Sequence, residues 1–518
     1  MATLKLYSTS KKAFVLFRIL PGLLTLTLLT SPIWTSILGI HDVVIMYLAF
    51  ISAYVFYKSA QTTFGNIIGY KRMLRDLARN WSKDLSSMRL RELGNSDQLP
   101  ENLQGLYHLI FIPIYKEPYE DIKKTFLALA KQDYPVLKNV IIVTTVEERA
   151  GPKQKIVIQK LKKEFQKYFF DIWDFYHPEN IPGEIVGDAC ANLRWGAINA
   201  TRVLEKKNIS SKHVIFTKFD SDTRLNPKHL SALTYTYLTN DNRLNKFYSP
   251  AVQIYSNNYW RVPAITRVFS SALTLGIVGE WVTDKEKKQS FSCYSSNFKT
   301  LERTNYWDAS TGAEDTYFYW NTFLYFNGDF AGEEFYLPVT MDAVEGKDYL
   351  SALGSLYKQQ LRWGWGAIIM SIAAQGMSWN PKIKLMHKFS KLRLLFNVYN
   401  LTLTMGILLT FGIPILTIMN QELEFSSTSY LLPRITSIIL TASLIFQIPS
   451  KYYLWKYYGA PPKSKSFLFK VWWWTLEHFL QFVNIWTYYL LPRIQAQYEM
   501  TLGKNRKKFF IAIEGRIS

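Results

Sequence analysis

Cysteine is almost missing from this chain of 518 residues: Cys190 and Cys293 are the only two. Neither has a partner pattern beside it, so neither a disulfide framework nor a zinc site can be built at these spacings. Free thiols fit a cytosolic setting. Acidic residues are also scarce, 40 Asp and Glu against 61 Lys and Arg, which leaves a formal charge of +21. Such an excess invites a nucleic-acid reading. The basic residues, however, fall mainly beside apolar stretches, where they read as cytosolic flanks of membrane spans facing anionic headgroups, with no nucleic-acid partner. A cleavable leader is not expected, because the first apolar stretch is too long and a second follows almost at once. No eukaryotic retention signal is evident, and the expected location is therefore a bacterial inner membrane.

What is present is grease and aromatics: 48% hydrophobic and 16% aromatic residues, with a mean hydropathy of only -0.05. That average describes a mosaic of apolar segments diluted by a large soluble domain, and the length predicts two or three structural units. Residues 1–58 read as a membrane hairpin: Lys5, Lys11 and Lys12 precede one apolar run broken by Pro21 and Pro32, and Lys58, Lys71, Arg72, Arg75 and Arg79 follow the second. Both ends are positive, hence cytosolic. Residues 59–105 read as linker helices and 106–355 as a cytosolic domain of short apolar strands alternating with amphipathic helices. That alternation predicts an α/β layer with a mostly parallel sheet, flanked by multi-pass helical membrane segments. Residues 356–380 read as an interfacial amphipathic helix, 381–492 as further membrane helices and 493–518 as a basic cytosolic tail. The stretch 467–491 is interrupted by Glu477, His478, Gln481 and Asn484; a bent pair of helices there would keep the tail inside.

Ligands of such sheets bind at the carboxyl ends of the strands. The strand expected at 214–219 ends directly in Asp220-Ser221-Asp222. Two carboxylates two residues apart can engage a hard divalent cation, Mg²⁺ or Mn²⁺, together with a diphosphate, although the same pattern also occurs as a loop or helix cap. Further on, Glu314-Asp315 precedes an aromatic helix. These carboxylates either favour the helix dipole or supply a base that accepts a proton from an attacking hydroxyl. Third comes Gln359-Gln360-Leu361-Arg362-Trp363. At helical spacing Gln359, Arg362 and Trp363 share a face; Arg362 either binds a diphosphate bidentately or belongs to an interfacial helix with its tryptophans at headgroup depth.

These three elements, in this order and between membrane segments, resemble the processive-type family-2 glycosyltransferases of the membrane, of which cellulose synthase and hyaluronan synthase are familiar members. The resemblance covers roughly residues 106–365. It implies a glycosyltransferase-A-like fold, a nucleotide-sugar donor (a UDP-sugar favoured), Mg²⁺ or Mn²⁺, and inversion at the anomeric carbon. The acceptor would be a sugar polymer or a lipid, with the bilayer as partner. It places Asp315 as catalytic base and Asp220 with Asp222 at the metal and diphosphate. Gln359, Arg362 and Trp363, together with Glu314, take the acceptor and diphosphate side. Pro113, Tyr115 and Glu117 match the first-strand element that lies against the nucleotide, where Lys116 replaces the usual Asn. The aspartate expected after the second strand is absent, and Glu147 or Glu148 stands in its place. Arg194 takes a position usually held by lysine, keeping the charge but changing its geometry. A non-processive enzyme that adds one sugar to a lipid shares a similar Arg-Trp motif, and an inactive polysaccharide-binding or export subunit is the alternative from another class.

Overall fold

Consecutive Val, Ile, Leu and Phe without polar alternation mark strands covered on both faces, and such runs form the middle of a large sheet here. Residues 11–504 and residue 508 are described in this computed structural model; Lys5, Arg506 and Lys507 of the two basic ends lie outside them. In chain order the strands are β1 (Tyr107–Ile114), β2 (Val140–Glu147), β3 (Asp171–His177), β4 (Val214–Lys218) and β5 (Arg224–Leu225). They continue as β6 (Lys246–Pro250), β7 (Gln253–Ile254), β8 (Tyr294–Asn297), β9 (Ala331–Phe335) and β10 (Val339–Thr340). Seven of them form a sheet in the order β3-β2-β1-β4-β8-β6-β9, and β5-β10-β7 form a small second one. The strands from β3 to β4 run parallel, β8 reverses between β4 and β6, and β9 is again parallel to β6. The domain is thus mixed α/β with a mostly parallel sheet.

The two-residue period of a strand sends neighbouring side chains to opposite faces, and β1 shows the consequence. Leu109 and Phe111 join a core that includes Leu193, Ala197 and Ala200 of the helix Ala189–Lys206. Ile110 and Ile112 join a second core with Ile122, Phe126 and Leu129 of the helix Tyr119–Ala130. Two helical layers therefore cover the sheet and leave the carboxyl ends of β1, β2 and β4 on one edge.

Among the described residues three helices are long and apolar enough to cross a membrane: Asp42–Ala78, Leu385–Met419 and Ser427–Tyr458. A fourth candidate, Val15–Leu29 with Ser31–Ile37, is bent by 65° where Pro32 cannot continue the hydrogen-bond ladder of the preceding helix. The helix Asp42–Ala78 runs well past its apolar half and packs against the helix Ala264–Thr283. The crossing is tight: a Cβ at Gly65 would lie 2.3 Å from the carbonyl oxygen of Gly279, and one at Gly279 would lie 2.8 Å from Cα of Thr62. Small residues let helix backbones approach in this way, and the Asn66 side-chain amide donates to the Leu275 carbonyl at 2.8 Å within the same contact.

The stretch 467–491 is a series of short elements, Phe467–Thr475, a 3-10 turn Glu477–Phe479, Leu480–Asn484 and a π-helical turn Ile485–Leu490. Glu477 at the break is 1% exposed. Its carboxylate accepts from Arg267 Nε at 2.9 Å and NH2 at 2.8 Å, so the buried charge is matched by a two-pronged cation. The expected interfacial segment folds as Tyr349–Gly364 and Ile368–Trp379. The second of these is buried from Ile369 to Met377 rather than lying open on one face. Gly376 brings it against Leu324 of the helix Glu314–Tyr325, where a Cβ would lie 2.5 Å from Leu324 Cδ1.

The glycine crossing yields a paired test. Gly279→Leu inserts a side chain into backbone and is expected to cost about 3 kcal/mol, the upper range for overpacking. Gly276→Ala, three residues earlier in the same helix with nothing within 4 Å of its Cβ, is expected to stabilise by about 0.5–1 kcal/mol. Thermal unfolding midpoints of the detergent-solubilised variants separate the two.

Candidate active site

At the carboxyl edge of β1, β2 and β4 the chain forms a cleft of about 180 Å³ lined by Pro113, Tyr115, Glu117, Glu147, Asp220, Asp222, Gln359 and Arg362 among others. Most residues singled out from the sequence thus line or adjoin it, from four separate segments. The first segment is the turn after β1. Its Tyr115 N–H donates to Glu117 Oε2 at 2.6 Å, which ties the loop back on itself. The Tyr115 ring carries two cations on its face, the Arg149 guanidinium at 4.2 Å and the Lys116 ammonium at 4.9 Å, both within cation–π range. Arg149 is held in turn by the Glu147 carboxylate, so the end of β2 and the turn after β1 form one unit.

The second segment follows β4. Lys218, its last residue, is 1% exposed and stands between Phe111 of β1 and Tyr294 of β8. Its ammonium lies 3.0 Å from Asp220 Oδ1 and 2.6 Å from Glu314 Oε1. The turn itself is pinned by Thr125, whose hydroxyl donates to the Ser221 carbonyl at 2.6 Å, and by Asn257, whose amide donates to the Asp222 carbonyl at 2.9 Å. The third segment is the start of the helix Glu314–Tyr325. Ser292 links it to the second: its hydroxyl donates to Asp220 Oδ2 at 3.2 Å and its N–H to Asp315 Oδ2 at 3.3 Å. Ser292 has φ +34°, a left-handed backbone that residues other than glycine adopt rarely and that gathers at functional sites. Asp315 Oδ1 accepts the Thr316 N–H at 2.6 Å.

The fourth segment is the helix Tyr349–Gly364, which presents Gln359 and Arg362 to the cleft. Arg362 NH1 lies 3.5 Å from Asp188 Oδ2. Asp188 also caps the helix Ala189–Lys206 by accepting the Cys190 N–H at 3.0 Å.

The electrostatics follow from this crowding. Burial first, and then the negative charge of Glu314, push Asp315 up to about 6, against the pull of Lys218. Burial would raise Asp220 as well, but Lys218, Arg362 and the Ser292 hydroxyl outweigh it and take that carboxyl below its usual range. Burial works against the Lys218 ammonium, yet Asp220 and Glu314 carry it well above the ordinary lysine value. Burial and the Glu314 charge raise Asp188, with Arg362 opposing. The Cys190 thiol is raised by burial and by the adjacent Asp188 and Glu314, which keeps it protonated and unreactive. Tyr255 faces Asp220, Asp222 and Asp315; burial and their charges hold its phenol neutral.

Several expected residues stand elsewhere. Glu314 and Asp315 do not line the cleft but adjoin it through Lys218 and Ser292. Trp363 turns away to pack onto Ile265, Phe269, Val344 and Leu356. Arg194 is directed at backbone: NH1 donates to the Asn305 and Trp307 carbonyls at 2.6 and 2.9 Å, and NH2 lies 3.3 Å from Asn305 Oδ1. It thereby staples a turn in which Asn305 and Tyr306 both have left-handed φ, +63° and +61°. Conversely, Lys218, Asp188 and Asn192 belong to the site without having been singled out. A lysine inside an otherwise apolar strand, two residues before Asp220, is the signal that marks Lys218.

No protein-family model and no curated protein matches the sequence. Among solved structures the chain is similar to the mannosyltransferase PcManGT from Pyrobaculum calidifontis in complex with GDP-Man and Mn²⁺, at 13% identity over 76% of this chain and 98% of that one, with a TM-score of 0.37. It is also similar to S. aureus TarS 1-349 in complex with UDP-GlcNAc, at 14% identity over 77% and 93% of the two chains and a TM-score of 0.32. A third likeness is to GalNAc-T7 with UDP, GalNAc and Mn²⁺, at 10% identity over 59% and 57% and a TM-score of 0.27. Likenesses this distant carry no argument, and the chemistry rests on the cleft.

The placement of Arg194 gives a prediction opposite to that for a ligand-binding cation. Arg194→Met strips the hydrogen bonds from a buried turn and is expected to cost about 1–3 kcal/mol of stability. Calorimetric affinity for a nucleoside diphosphate should stay unchanged; a marked loss of that affinity without loss of stability would place Arg194 at the ligand.

Proposed function

We propose that the protein is a membrane-bound, metal-dependent, inverting glycosyltransferase of the family-2 processive type. It moves a sugar from a nucleotide-sugar, a UDP-sugar being favoured, to a growing polysaccharide, with its active domain on the cytosolic side of a bacterial inner membrane. One observation carries the reading: Asp220 and Asp222, Glu314 and Asp315, and Gln359 and Arg362 come together around one cleft at the carboxyl ends of parallel strands. Purely structural carboxylates from two separate segments would have no reason to gather beside one cleft with a guanidinium and a buried ammonium. The three apolar helices and the positive charge beside them support the membrane placement.

The donor set fits a hard cation, since it offers carboxylate oxygens and no soft ligand on the Asp-Ser-Asp turn. Asp222 would hold Mg²⁺ or Mn²⁺, with Asp220, bonded to Lys218 and Ser292, behind it. Once bound, the cation neutralises the leaving diphosphate. The chain supplies the rest. Tyr115 with Arg149 and Glu147 forms the wall for the nucleotide, and Arg362 sets a fixed positive charge for the diphosphate. Asp315 accepts the proton of the acceptor hydroxyl, whose oxygen bonds to the anomeric carbon while the bond to the diphosphate breaks on the opposite face. The configuration inverts. The helix bearing Gln359 and Arg362 rests on the last helix, Leu491–Thr501, through Gly364 against Ala496 and a 2.8 Å bond from Tyr357 to Gln495; the product would leave beside this membrane-side segment.

Purified protein in nanodiscs, given Mn²⁺ or Mg²⁺ and a panel of nucleotide-sugars, should release nucleoside diphosphate with one of them. Asp315→Asn should lower that release by about 10²–10⁴-fold, the contribution of a positioned base. Release that is indifferent to metal and to Asp315→Asn would refute the reading. Sizing the product then separates a polymer from a single-sugar glycolipid. The raised Asp315 carboxyl sets the pH dependence: the base must be ionised, so kcat/KM should hold above about pH 6 and fall as pH drops through it. An acid limb near the ordinary aspartate value of about 4 would contradict the crowding of Asp315 by Glu314.

A further inference from the structure

Among the described residues Lys218 is the one cation buried inside the carboxylate cluster itself, and the proposed transfer chemistry leaves it without a role. Burying an ammonium at the end of a central strand is costly unless it is fully paired. Here the pairing is distributed. One carboxylate, Asp220 at 3.0 Å, belongs to the turn that carries Asp222; the other, Glu314 at 2.6 Å, belongs to the helix start that carries Asp315. The strand neighbours Phe111 and Tyr294 fence the side chain in laterally, and Ser292 closes the ring by bonding Asp220 and Asp315. We propose that Lys218 is a positioning residue for the transfer reaction, its ammonium standing as a fixed cation between donor-side Asp220 and acceptor-side Glu314 and holding the two halves of the site at one spacing. This rests on the glycosyltransferase reading above.

The same geometry explains a second grouping. The ligand atoms of Asp188, Cys190 and Glu314 lie within 4.8 Å of one another, which by itself resembles a metal cage. Glu314, however, already faces the Lys218 ammonium at 2.6 Å, and Asp188 faces Arg362 at 3.5 Å. Protein cations already compensate this acidic group, so the divalent ion belongs on the Asp222 side. Lys218 is thus a built-in counter-ion that lets donor-side and acceptor-side carboxylates sit close together.

The role predicts a specific failure. In Lys218→Met the donor side keeps Asp222, Tyr115 and Arg362, whereas the Asp315 segment loses its ionic tie to it and keeps only the long Ser292 bonds. With the donor and product identified for the wild type, transfer of radiolabelled sugar to that product should fall by about 100-fold, the cost of misplacing a reacting group by an ångström. Release of free sugar to water should fall by less than about tenfold, since a small mobile water can follow a displaced Asp315 where a bound acceptor cannot. If Lys218→Met is not monodisperse, Lys218→Gln, which keeps a hydrogen-bond donor without the charge, carries the same comparison. Transfer and hydrolysis falling in parallel, neither falling, or failure of both variants to fold would each overturn the proposal by making Lys218 purely structural. A wild type that releases diphosphate from no donor fails earlier, at the transferase reading itself.

Discussion

The contact between the Lys218 ammonium and the carboxylates of Asp220 and Glu314 is the constraint around which the site is arranged. Two carboxylates held about 5 Å apart at an effective dielectric near 20 repel by roughly 3 kcal/mol. Asp188 and Asp315 add further negative charge nearby. Without a cation among them, the strand end of β4 and the start of the helix Glu314–Tyr325 would be driven apart. With Lys218 inside and Arg362 at the rim, Asp220 remains ionised while Asp315 is left with a raised affinity for protons. One lysine thus allows two carboxylates of different protonation behaviour to stand side by side, a separation that suits one to charge stabilisation and the other to proton transfer.

A second constraint joins this site to the membrane-side helices. The helix Ala264–Thr283 lies between them. On one side it takes the Gly65 crossing and the Lys58–Glu280 ion pair at 2.8 Å; on the other, Arg267 grips Glu477 and the Ile265 carbonyl receives the Asn484 amide at 3.0 Å. The wall of the cleft formed by Gln359 and Arg362 is itself seated on the helix Leu491–Thr501. The cleft is therefore part of the same packed body as the long apolar helices. Between three of those helices, Leu48 and a row of hydroxyl side chains including Thr410, Thr417, Thr436 and Thr441 line a further cleft of about 740 Å³.

How much of this was legible in advance depended on whether a residue's role was local. The runs that became β1, β2 and β4 were readable because strands covered on both faces must be apolar throughout. β8, Tyr-Ser-Ser-Asn, was not: its serines are buried only because β4 and β6 flank it, Ser295 bonding to Thr217 at 2.9 Å. The carboxylate motifs and Gln359 with Arg362 could be read from type and spacing, since each sits at the end of a strand or on one turn of helix. Lys218 and Asp188 were not, because their partners, Glu314 and Arg362, lie far along the chain. Arg194 shows the converse. The resemblance suggested a ligand for it, but a turn a hundred positions later, left-handed at Asn305 and Tyr306, presents the Asn305 and Trp307 carbonyls to its guanidinium. Nothing local announces Arg267 as the partner of Glu477 either.

Bound as proposed, a nucleotide-sugar places its diphosphate in the cleft between Tyr115, Asp222 and Arg362. A cryo-electron microscopy map of the protein in nanodiscs, with Mn²⁺ and the donor that it turns over, tests this most directly. The account predicts the base against the Tyr115–Arg149 wall, the cation on Asp222 and the diphosphate facing Arg362, with the sugar directed towards Asp315. A nucleotide seated anywhere else on the protein, or a cation bound by Asp188, Cys190 and Glu314 in place of Asp222, would contradict it.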